Sequence, residues 1–241
     1  MAVTTVYQSS QGRVGNSASG TLAAAWASAK GTNTTTGNSV GSTSTNDNFG
    51  SRTEAARGGQ FLATNYRAYF YFDLSSISDI TGITFTARGG TNSTNQNGDW
   101  IAARANQDAD FGTIATSDYT LVYNSSTGFT NYSQNVASWS YNADNTVTLN
   151  PTAVSNSNNE GELCVCLMNY TYDYNGGEVE GSIGDIFNSL SFINSGTTRA
   201  RLTVTHTVAS GYDNEVNAII PASISKVLGI ATADISKVTG V

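Results

Sequence analysis

Alternation of apolar and polar side chains is the strongest signal in this sequence, and it predicts β-strands. In YRAYFYF (residues 66–72), Arg67, Tyr69 and Tyr71 occupy one face and the residues between them occupy the other. Period-two alternation rich in aromatic residues is the pattern of a half-buried strand. Further segments with strand patterns are Ile83–Arg88, Trp100–Ala105, Tyr119–Tyr123, Thr146–Leu149, Leu163–Met168 and Arg201–Val208. Short strands joined by Asn, Gly and Ser turns predict an all-β fold, a two-sheet antiparallel sandwich.

The segment Leu163–Met168 is apolar on both faces, so we expect a central or covered strand. It contains the only cysteines, Cys164 and Cys166. Side chains two residues apart on a strand are parallel, with Cα atoms about 6–7 Å apart, which is a poor geometry for a disulfide. We therefore interpret both as buried apolar side chains. A zinc site would need further ligands, and only His206 would supply another soft one.

Residues 1–60 have few large apolar side chains, and Gly31–Gly50 (GTNTTTGNSVGSTSTNDNFG) has almost none to bury. This composition predicts a long surface loop or an extended polar arm. Before it, Gly20–Ala29 favours a helix by intrinsic propensity, but a strand or an irregular segment fits its flanking Gly, Ser and Thr equally well. We assign residues 1–209 to one sandwich domain that includes this polar region.

The composition changes after residue 209. Residues 210–217 (SGYDNEVN) have the character of a linker, and two related units, ISKVLGI (Ile224–Ile230) and ISKVTGV (Ile235–Val241), follow eleven residues apart. Each unit favours a short helical turn that stops at glycine, and single turns are not stable alone in water. We therefore expect residues 210–241 to form a docking tail, with contacts made by Ile224, Val227, Leu228, Ile230, Ile235 and Val238.

Composition and charge narrow the classes of function. Charged residues make up 12% of the chain, whereas Ser, Thr and Asn number 29, 32 and 25. The net charge is −7 and Lys and Arg are scattered singly, which argues against a nucleic-acid partner because such a partner needs a basic stripe. No 18-residue apolar run is present, so no membrane-spanning helix is expected. The 12 Tyr, 9 Phe and 3 Trp argue against a disordered chain.

Candidate catalytic and metal-binding groups are few. The single histidine, His206, falls on the apolar face of its strand, where we expect a structural role rather than that of a general base. The familiar nucleophile, phosphate-binding and zinc motifs are missing, so we expect no enzymatic activity and no cofactor other than calcium. Asp108 and Asp110, near Asp99 and Asp118, are candidate calcium ligands because calcium prefers hard oxygen donors. Solvated loop acids fit the same residues.

Aromatic residues form a second candidate site. In YTYDY, Tyr170, Tyr172 and Tyr174 alternate and would line one side of a strand end. Such a row, beside Asn and Asp, suits a sugar-binding platform, to which Trp100 and Trp139 would contribute. Aromatic residues more often bury area in a core or between subunits. Glycan binding and packing are therefore alternative interpretations of these residues.

Five segments carry a resemblance to a known family: Arg67–Ile77 (RAYFYFDLSSI), Ile83–Arg88, Thr146–Val154 (TVTLNPTAV), Cys164–Met168 and Arg199–His206 (RARLTVTH). In order and spacing they resemble the strands of DNRLRE-type, carbohydrate-binding-module-like jelly-roll domains over residues 60–208. Ala200 and His206 replace the usual Pro and Tyr of the closing strand, and Asp173 is similar in place to an acidic residue of that family. The resemblance implies an antiparallel two-sheet jelly-roll sandwich and assigns no binding residue.

The tail units resemble the short I-x-x-V-x-G-V repeats of phage structural proteins. Residues 1–7 lack the basic start and apolar stretch of a secretory signal, although the Thr, Ser and Asn content is typical of surfaces outside cells. A virion protein, made in the host cytoplasm and exposed after lysis, satisfies both conditions. We therefore expect a non-enzymatic phage virion structural protein (decoration, fibre or tail-associated) whose partners are other virion proteins and copies of itself. The alternatives are a carbohydrate-binding module for surface glycans and a filament-forming surface subunit.

Overall fold

The structure is a computed structural model that describes residues 1–31, 35–41, 47–91, 98–106, 114–124, 128–177, 184–192 and 196–207, and the backbone of 226–227 and 230–231. Within these residues the strands are β1 (Ala2–Tyr7), β2 (Ser10–Gly20), β3 (Ser39–Gly41), β4 (Asp47–Ala55), β5 (Phe61–Asp73), β6 (Ile80–Arg88), β7 (Trp100–Arg104), β8 (Tyr123–Asn124), β9 (Gly128–Phe129), β10 (Asp144–Thr148), β11 (Glu162–Asn169), β12 (Gly184–Leu190), β13 (Arg201–His206), β14 (Lys226–Val227) and β15 (Ile230–Ala231). The α-helices are α1 (Leu22–Lys30) and α2 (Pro151–Glu160), and short 3₁₀ or π turns cover Arg57–Gly59, Thr116–Thr120 and Tyr170–Tyr174.

The longer strands form two antiparallel sheets that share one apolar core. The first sheet has the order β1–β13–β6–β10, and the second has the order β12–β4–β5–β11–β7. In the second sheet β2 pairs along one edge of β5, while β4 and β11 pair with the first and second halves of its other edge. Along the chain, β5, β6, β7, β10 and β11 alternate between the sheets. The predicted all-β fold, an antiparallel two-sheet sandwich, is confirmed.

The predicted strand segments lie in β5, β6, β7, β10, β11 and β13, with one exception. Tyr119–Tyr123 was expected to be a strand, but Thr116–Thr120 forms a 3₁₀ turn and only Tyr123 begins a strand. The Asp118 carboxylate accepts a hydrogen bond from the backbone N–H of Ala115 at 2.7 Å. Such local side-chain bonds to the backbone favour a turn over a sheet ladder, which explains the difference.

Aromatic and branched side chains from both sheets fill the core. The Phe70 ring of the second sheet lies 5.5 Å from the Phe85 ring of the first, and Phe72 contacts Phe85 edge to face. Leu202 and Val204 of β13 are fully buried against the same cluster. Each such side chain contributes about 1.5–3 kcal/mol when it leaves water, so this layer is the main source of the sandwich's stability.

The strand β11 is covered on both faces, as its apolar sequence predicted. Leu163, Val165 and Leu167 face the core between the sheets. The side chains between them, including both cysteines, face a second apolar cluster on the far side of the sheet. Cys164 and Cys166 are free and buried, which confirms their interpretation as apolar core residues. Burial raises the pKa of both thiols, so they stay protonated in the folded protein.

Residues 1–60 belong largely to the sheets, although their composition favoured a polar loop or arm. They supply β1, β2 and β4, and within Gly31–Gly50 the described residues include β3 and the start of β4. The strand β2 approaches β5 through small residues: a Cβ on Gly15 would lie 2.2 Å from the ring of Tyr66. Close approach of the backbones buries this region without large apolar side chains, and this is why composition misled the prediction. The segment Gly20–Ala29, left open between helix and strand, lies mostly in α1.

The helix α2 has clear boundary signals but a weak apolar pattern. The Asn150 side chain accepts a hydrogen bond from the N–H of Ala153 at 3.1 Å, and Pro151 is the first helical residue. Gly161 ends the helix with a φ of 69°. An Asn cap, a Pro at the first position and a left-handed Gly are standard helix limits. The buried positions, Ala153 and Ser157, are too small to give a detectable periodicity.

Only four residues of the predicted docking tail are described. Lys226–Val227 pairs antiparallel with Ile230–Ala231, so β14 and β15 form a hairpin. The short helical turn expected for Ile224–Ile230 is therefore wrong at these positions, in keeping with the strand preference of β-branched residues. Ile224, Leu228, Ile235 and Val238, the linker 210–217 and the domain boundary after residue 209 lie outside the described residues.

Candidate functional site

The tyrosine-rich segment after β11 is a single turn rather than the expected strand end. Tyr170–Tyr174 forms one turn of π-helix. The Asn169 side chain starts this turn by accepting a hydrogen bond from the backbone N–H of Tyr172 at 2.7 Å. The turn points Asp173 into the interior, where it is fully buried. The alternation predicted from the sequence is therefore replaced by helical spacing.

Helical spacing separates the three tyrosines that were predicted to form one row. The rings of Tyr170 and Tyr174 stack 5.8 Å apart, and Phe129 stacks on Tyr174 at 5.5 Å. Tyr172 points elsewhere and meets Trp26 of α1 edge to face at 6.3 Å. The predicted single row is wrong, because Tyr170 and Tyr174 stack on each other while Tyr172 contacts Trp26. All three tyrosines remain partly exposed, so glycan binding by them stays a prediction.

Trp100, the fourth candidate for sugar binding, belongs to the core. Its side chain is 1% exposed and packs edge to face on Trp139, with ring centroids 5.3 Å apart. Its indole N–H donates to the carbonyl oxygen of Ser138 at 3.0 Å. The structure therefore contradicts the placement of Trp100 on a surface platform. Trp139 is fully buried as well.

The strongest polar feature of the described residues is a buried ion pair between Arg67 of β5 and Asp173. The Nε–H of Arg67 donates to Asp173 Oδ2 at 2.8 Å, and an Nη2–H donates to Oδ1 at 2.7 Å. Both side chains are fully buried. A bidentate, charge-assisted pair of this kind has fixed geometry and is among the strongest polar contacts in proteins.

The remaining donors of Arg67 bind backbone carbonyls of two other elements. Nη1 donates to the carbonyl oxygen of Tyr119 at 2.8 Å, and Nη2 donates to that of Lys30 at the end of α1 at 3.3 Å. The guanidinium also lies over the ring of Tyr119, 4.1 Å from its centroid, with Phe129 at 5.5 Å. Arg67 thus connects β5, α1 and the turns at 116–120 and 170–174. Its surroundings are those of a structural clamp.

Sequence reasoning identified both members of this pair but not their contact. Arg67 begins the segment RAYFYF, and Asp173 was noted only for its place in the family resemblance. The one available signal is the position of Arg67 on the same strand face as Tyr69, which is fully buried. An arginine on a covered face requires a counter-charge, because a buried unpaired charge is costly.

His206 lies at the end of β13, beside the edge strand β1. Its Nε2 is 3.0 Å from the hydroxyl of Thr4, and its Nδ1 is 3.2 Å from the carbonyl oxygen of Thr207. The Thr4 contact joins β13 to β1, whereas the Thr207 contact is to the next residue along the chain. His206 is half-buried at the sheet's end rather than enclosed in the apolar core.

The candidate calcium ligands Asp108 and Asp110 lie outside the described residues. Of their neighbours, Asp99 accepts hydrogen bonds from Asn169 and Thr171. Asp118 caps the turn at 116–120. Among the described residues, no group of three or more His, Cys, Asp or Glu side chains is arranged to hold a metal ion. Calcium binding therefore stays a prediction.

Comparisons with known proteins leave the family open. A scan against models of protein families finds no match to this chain, and a search of curated proteins finds none. No helix of the described residues is long and apolar enough to span a membrane.

Proposed function

We propose that this chain is a non-enzymatic structural protein of a phage virion, a decoration, fibre or tail-associated component that acts by docking. A rigid two-sheet sandwich suits that role as a building block. The resemblance of its strands to DNRLRE-type jelly-roll domains, and of its tail to repeats of phage structural proteins, supports the proposal. Its partners would be other virion proteins and copies of itself.

The observation that carries this proposal is the hairpin β14–β15. It pairs residues 226–227 with 230–231, and within the described residues its strands pair only with each other. A two-stranded hairpin is marginally stable in water and needs a further surface to pack on. The repeated unit Ile224–Ile230 supplies three of its four paired residues and therefore favours a segment that becomes stable by docking.

The chemistry of the tail fits an apolar contact. The docking residues are all aliphatic, and Ile224 and Val227 recur eleven residues later as Ile235 and Val238; Leu228 and Ile230 complete the set. Removal of apolar surface from water contributes about 25 cal/mol per Å², so a few aliphatic side chains supply a few kcal/mol. Many copies on one particle would bind far more strongly than one copy alone.

The interior polar groups support a structural role. Arg67 and Asp173 neutralise one another away from solvent, and Trp100 is buried in the core. His206 connects two strands through Thr4. These four side chains are thus engaged in packing and hydrogen bonding within the sandwich.

Paired substitutions in the tail test the proposal. The double variant Val227→Asp and Val238→Asp places charge at one aliphatic position of each unit, and we expect it to be lost from purified virions. The matched control, Ser225→Asp and Ser236→Asp, adds the same charge at polar positions and should be retained. Quantitative mass spectrometry of particles made with each variant measures the copy number. Equal retention of both variants, or wild-type particles that lack the chain, would contradict the proposal.

A glycan-binding role is the second candidate, and the partly exposed stack of Tyr170 and Tyr174 favours it. A sugar ring would pack on the exposed part of this stack, near the polar side chains of Thr171 and Asp99. A glycan array would show binding by the wild type and its loss in Tyr170→Ala. If the wild-type chain binds no glycan, the glycan-binding role is ruled out.

A further inference from the structure

The strand β1 is an open edge of the first sheet. It pairs with β13 along its whole length, from Ala2 opposite His206 to Tyr7 opposite Arg201. Among the residues that the structure describes, no strand pairs with its other side. An edge of this kind presents a row of unpaired N–H and C=O groups that can accept another strand.

The usual protections of an edge strand are missing from β1. Its sequence, AVTTVY, has no charged residue and no proline, and its pairing with β13 contains no bulge. The opposite edge of the same sheet, β10, carries Asp144, which forms ion pairs with Arg88 and Arg201. Met1 and Val3, with exposed fractions of 95% and 67%, are the most exposed large apolar residues of the described chain.

Hydrogen bonding to β13 identifies the groups that point outward. The N–H of Gln8 donates to the carbonyl oxygen of Ala200 at 3.1 Å, so Gln8 and every second residue before it direct their backbone groups toward β13. The backbone groups of Val3, Thr5 and Tyr7 therefore point away from the sheet. The side chains of the same residues lie on its outer face, because Val6 packs against the core.

We propose that β1 pairs antiparallel with β1 of a second copy of this chain, with a two-fold axis at Thr5. Thr5 then lies opposite Thr5 of the partner, and Val3 lies opposite Tyr7. The pairing forms about six backbone hydrogen bonds between the outward groups and joins the first sheets of two copies into one continuous sheet. This proposal rests on the proposed structural role and names one contact between subunits.

A second copy fits this edge better than a generic partner for two reasons. Thr–Thr and aromatic–β-branched pairs are favourable cross-strand neighbours, and this register creates both kinds at once. A two-fold contact also requires a surface that is complementary to itself, and β1 meets this requirement because the register pairs Thr5 with Thr5 and Val3 with Tyr7. The protein has a net charge of −7, which opposes self-association, but β1 itself has no charged side chain, and the guanidinium that lies over its Tyr7 ring, that of Arg199, is positive.

Charge substitution on the full-length chain tests the contact. Thr5→Lys places two lysines directly opposite one another in the paired strands, and we expect the dimer dissociation constant to rise by about tenfold or more. Thr148→Lys is the matched control, because Thr148 is an exposed threonine on the opposite edge strand of the same sheet. At one protein concentration, sedimentation velocity should show the same dimer fraction for the wild type and Thr148→Lys, and a shift toward monomer for Thr5→Lys.

Cysteine cross-linking tests the register. Hydrogen-bonded antiparallel partners have Cα atoms about 5.5 Å apart, within reach of a disulfide, so Thr5→Cys should form a covalent dimer on oxidation. Val3→Cys should not, because the two copies of residue 3 would be about 14 Å apart. The native cysteines do not interfere because both are buried.

The outcomes separate this contact from the proposed function. A wild type that is monomeric at every soluble concentration, equal effects of Thr5→Lys and Thr148→Lys, or cross-linking of Val3→Cys as efficient as that of Thr5→Cys would each overturn the pairing. A monomeric wild type is also the result expected if the chain's own tail covers this edge. Monomers that still enter virions would refute the pairing alone, whereas dimers excluded from virions would refute the structural role.

Discussion

The guanidinium of Arg67 is fully buried, and its neighbours supply a counter-charge and acceptors for its other hydrogen-bond donors. Removal of an ion from water costs several kcal/mol, and attraction to one counter-charge offsets this only when the geometry is good and the other donors are bonded. Asp173 accepts from two Arg67 nitrogens, and the carbonyls of Tyr119 and Lys30 accept from Nη1 and Nη2. The ion pair and these hydrogen bonds therefore hold the turns at 116–120 and 170–174 and the end of α1 against β5. Loss of one member of the pair leaves the other as a buried charge without a counter-charge.

The substitution Asp173→Asn tests this clamp. It keeps the size of the side chain but removes the charge, so we expect the free energy of unfolding to fall by about 3–5 kcal/mol. Glu160→Gln is the matched control, because Glu160 pairs with Arg104 at the surface with both side chains about one third exposed. Its cost should be about 0–1 kcal/mol. Urea denaturation measures both, and equal costs would contradict the clamp.

Ionisation of Tyr132 should make the free energy of unfolding depend on pH in the alkaline range. Burial raises the pKa of Tyr132 to about 12, although a hydrogen bond from Asn156 opposes the shift. Its pKa in the unfolded chain is about 10, so above pH 10 the unfolded state loses this proton first and stability falls as pH rises. In Tyr132→Phe the decline between pH 10 and 12 should be shallower by up to about 1.4 kcal/mol per pH unit. Urea denaturation at each pH measures the slopes, which should be equal in both proteins between pH 7 and 9.

Elements with large side chains could be predicted from the sequence, and those built from small ones could not. β5 and β11 are recognisable because aromatic and branched residues alternate or run continuously through them. β2 has the sequence SQGRVGNSASG and is buried by close contact with β5, where Gly15 leaves room for Tyr66. A pattern of apolar side chains cannot reveal such a contact, because β2 is buried by the close approach of its backbone to β5.

The candidate site shows the same limit. Arg67 and Asp173 are 106 positions apart, and no local pattern connects residues at that distance. The tyrosines of the 170–174 turn were misplaced because their spacing of two suits a strand, whereas the Asn169 side chain starts a helical turn. In both cases a polar contact with the backbone or a distant charge decided the geometry.

The first turn of α2 offers a test at the level of one element. The Asn150 side chain accepts from the N–H of Ala153 and donates to the carbonyl oxygen of Asn131. Asn150→Ala removes both bonds, and we expect it to lower the free energy of unfolding by about 1–2 kcal/mol. Ser155→Ala, at an exposed position within the helix, should change it by less than about 0.5 kcal/mol. A larger loss in Ser155→Ala than in Asn150→Ala, measured by thermal unfolding, would contradict the capping role.

At the scale of the whole molecule, a sandwich with its own apolar core is joined to the two features on which the proposed association rests. The core between the sheets and the clamp at Arg67 need no partner. Among the described residues β1 is an unpaired sheet edge, and the tail has an aliphatic sequence; we propose that other subunits cover both. This division is the physical basis for the proposed structural role.

Cryo-electron microscopy of purified virions at side-chain resolution decides whether that role is real. We expect density for the two-sheet sandwich on the particle, with the aliphatic side chains of residues 224–238 buried against a neighbouring subunit. Particles with no density for the sandwich, or a sandwich whose tail residues contact only solvent, would contradict it.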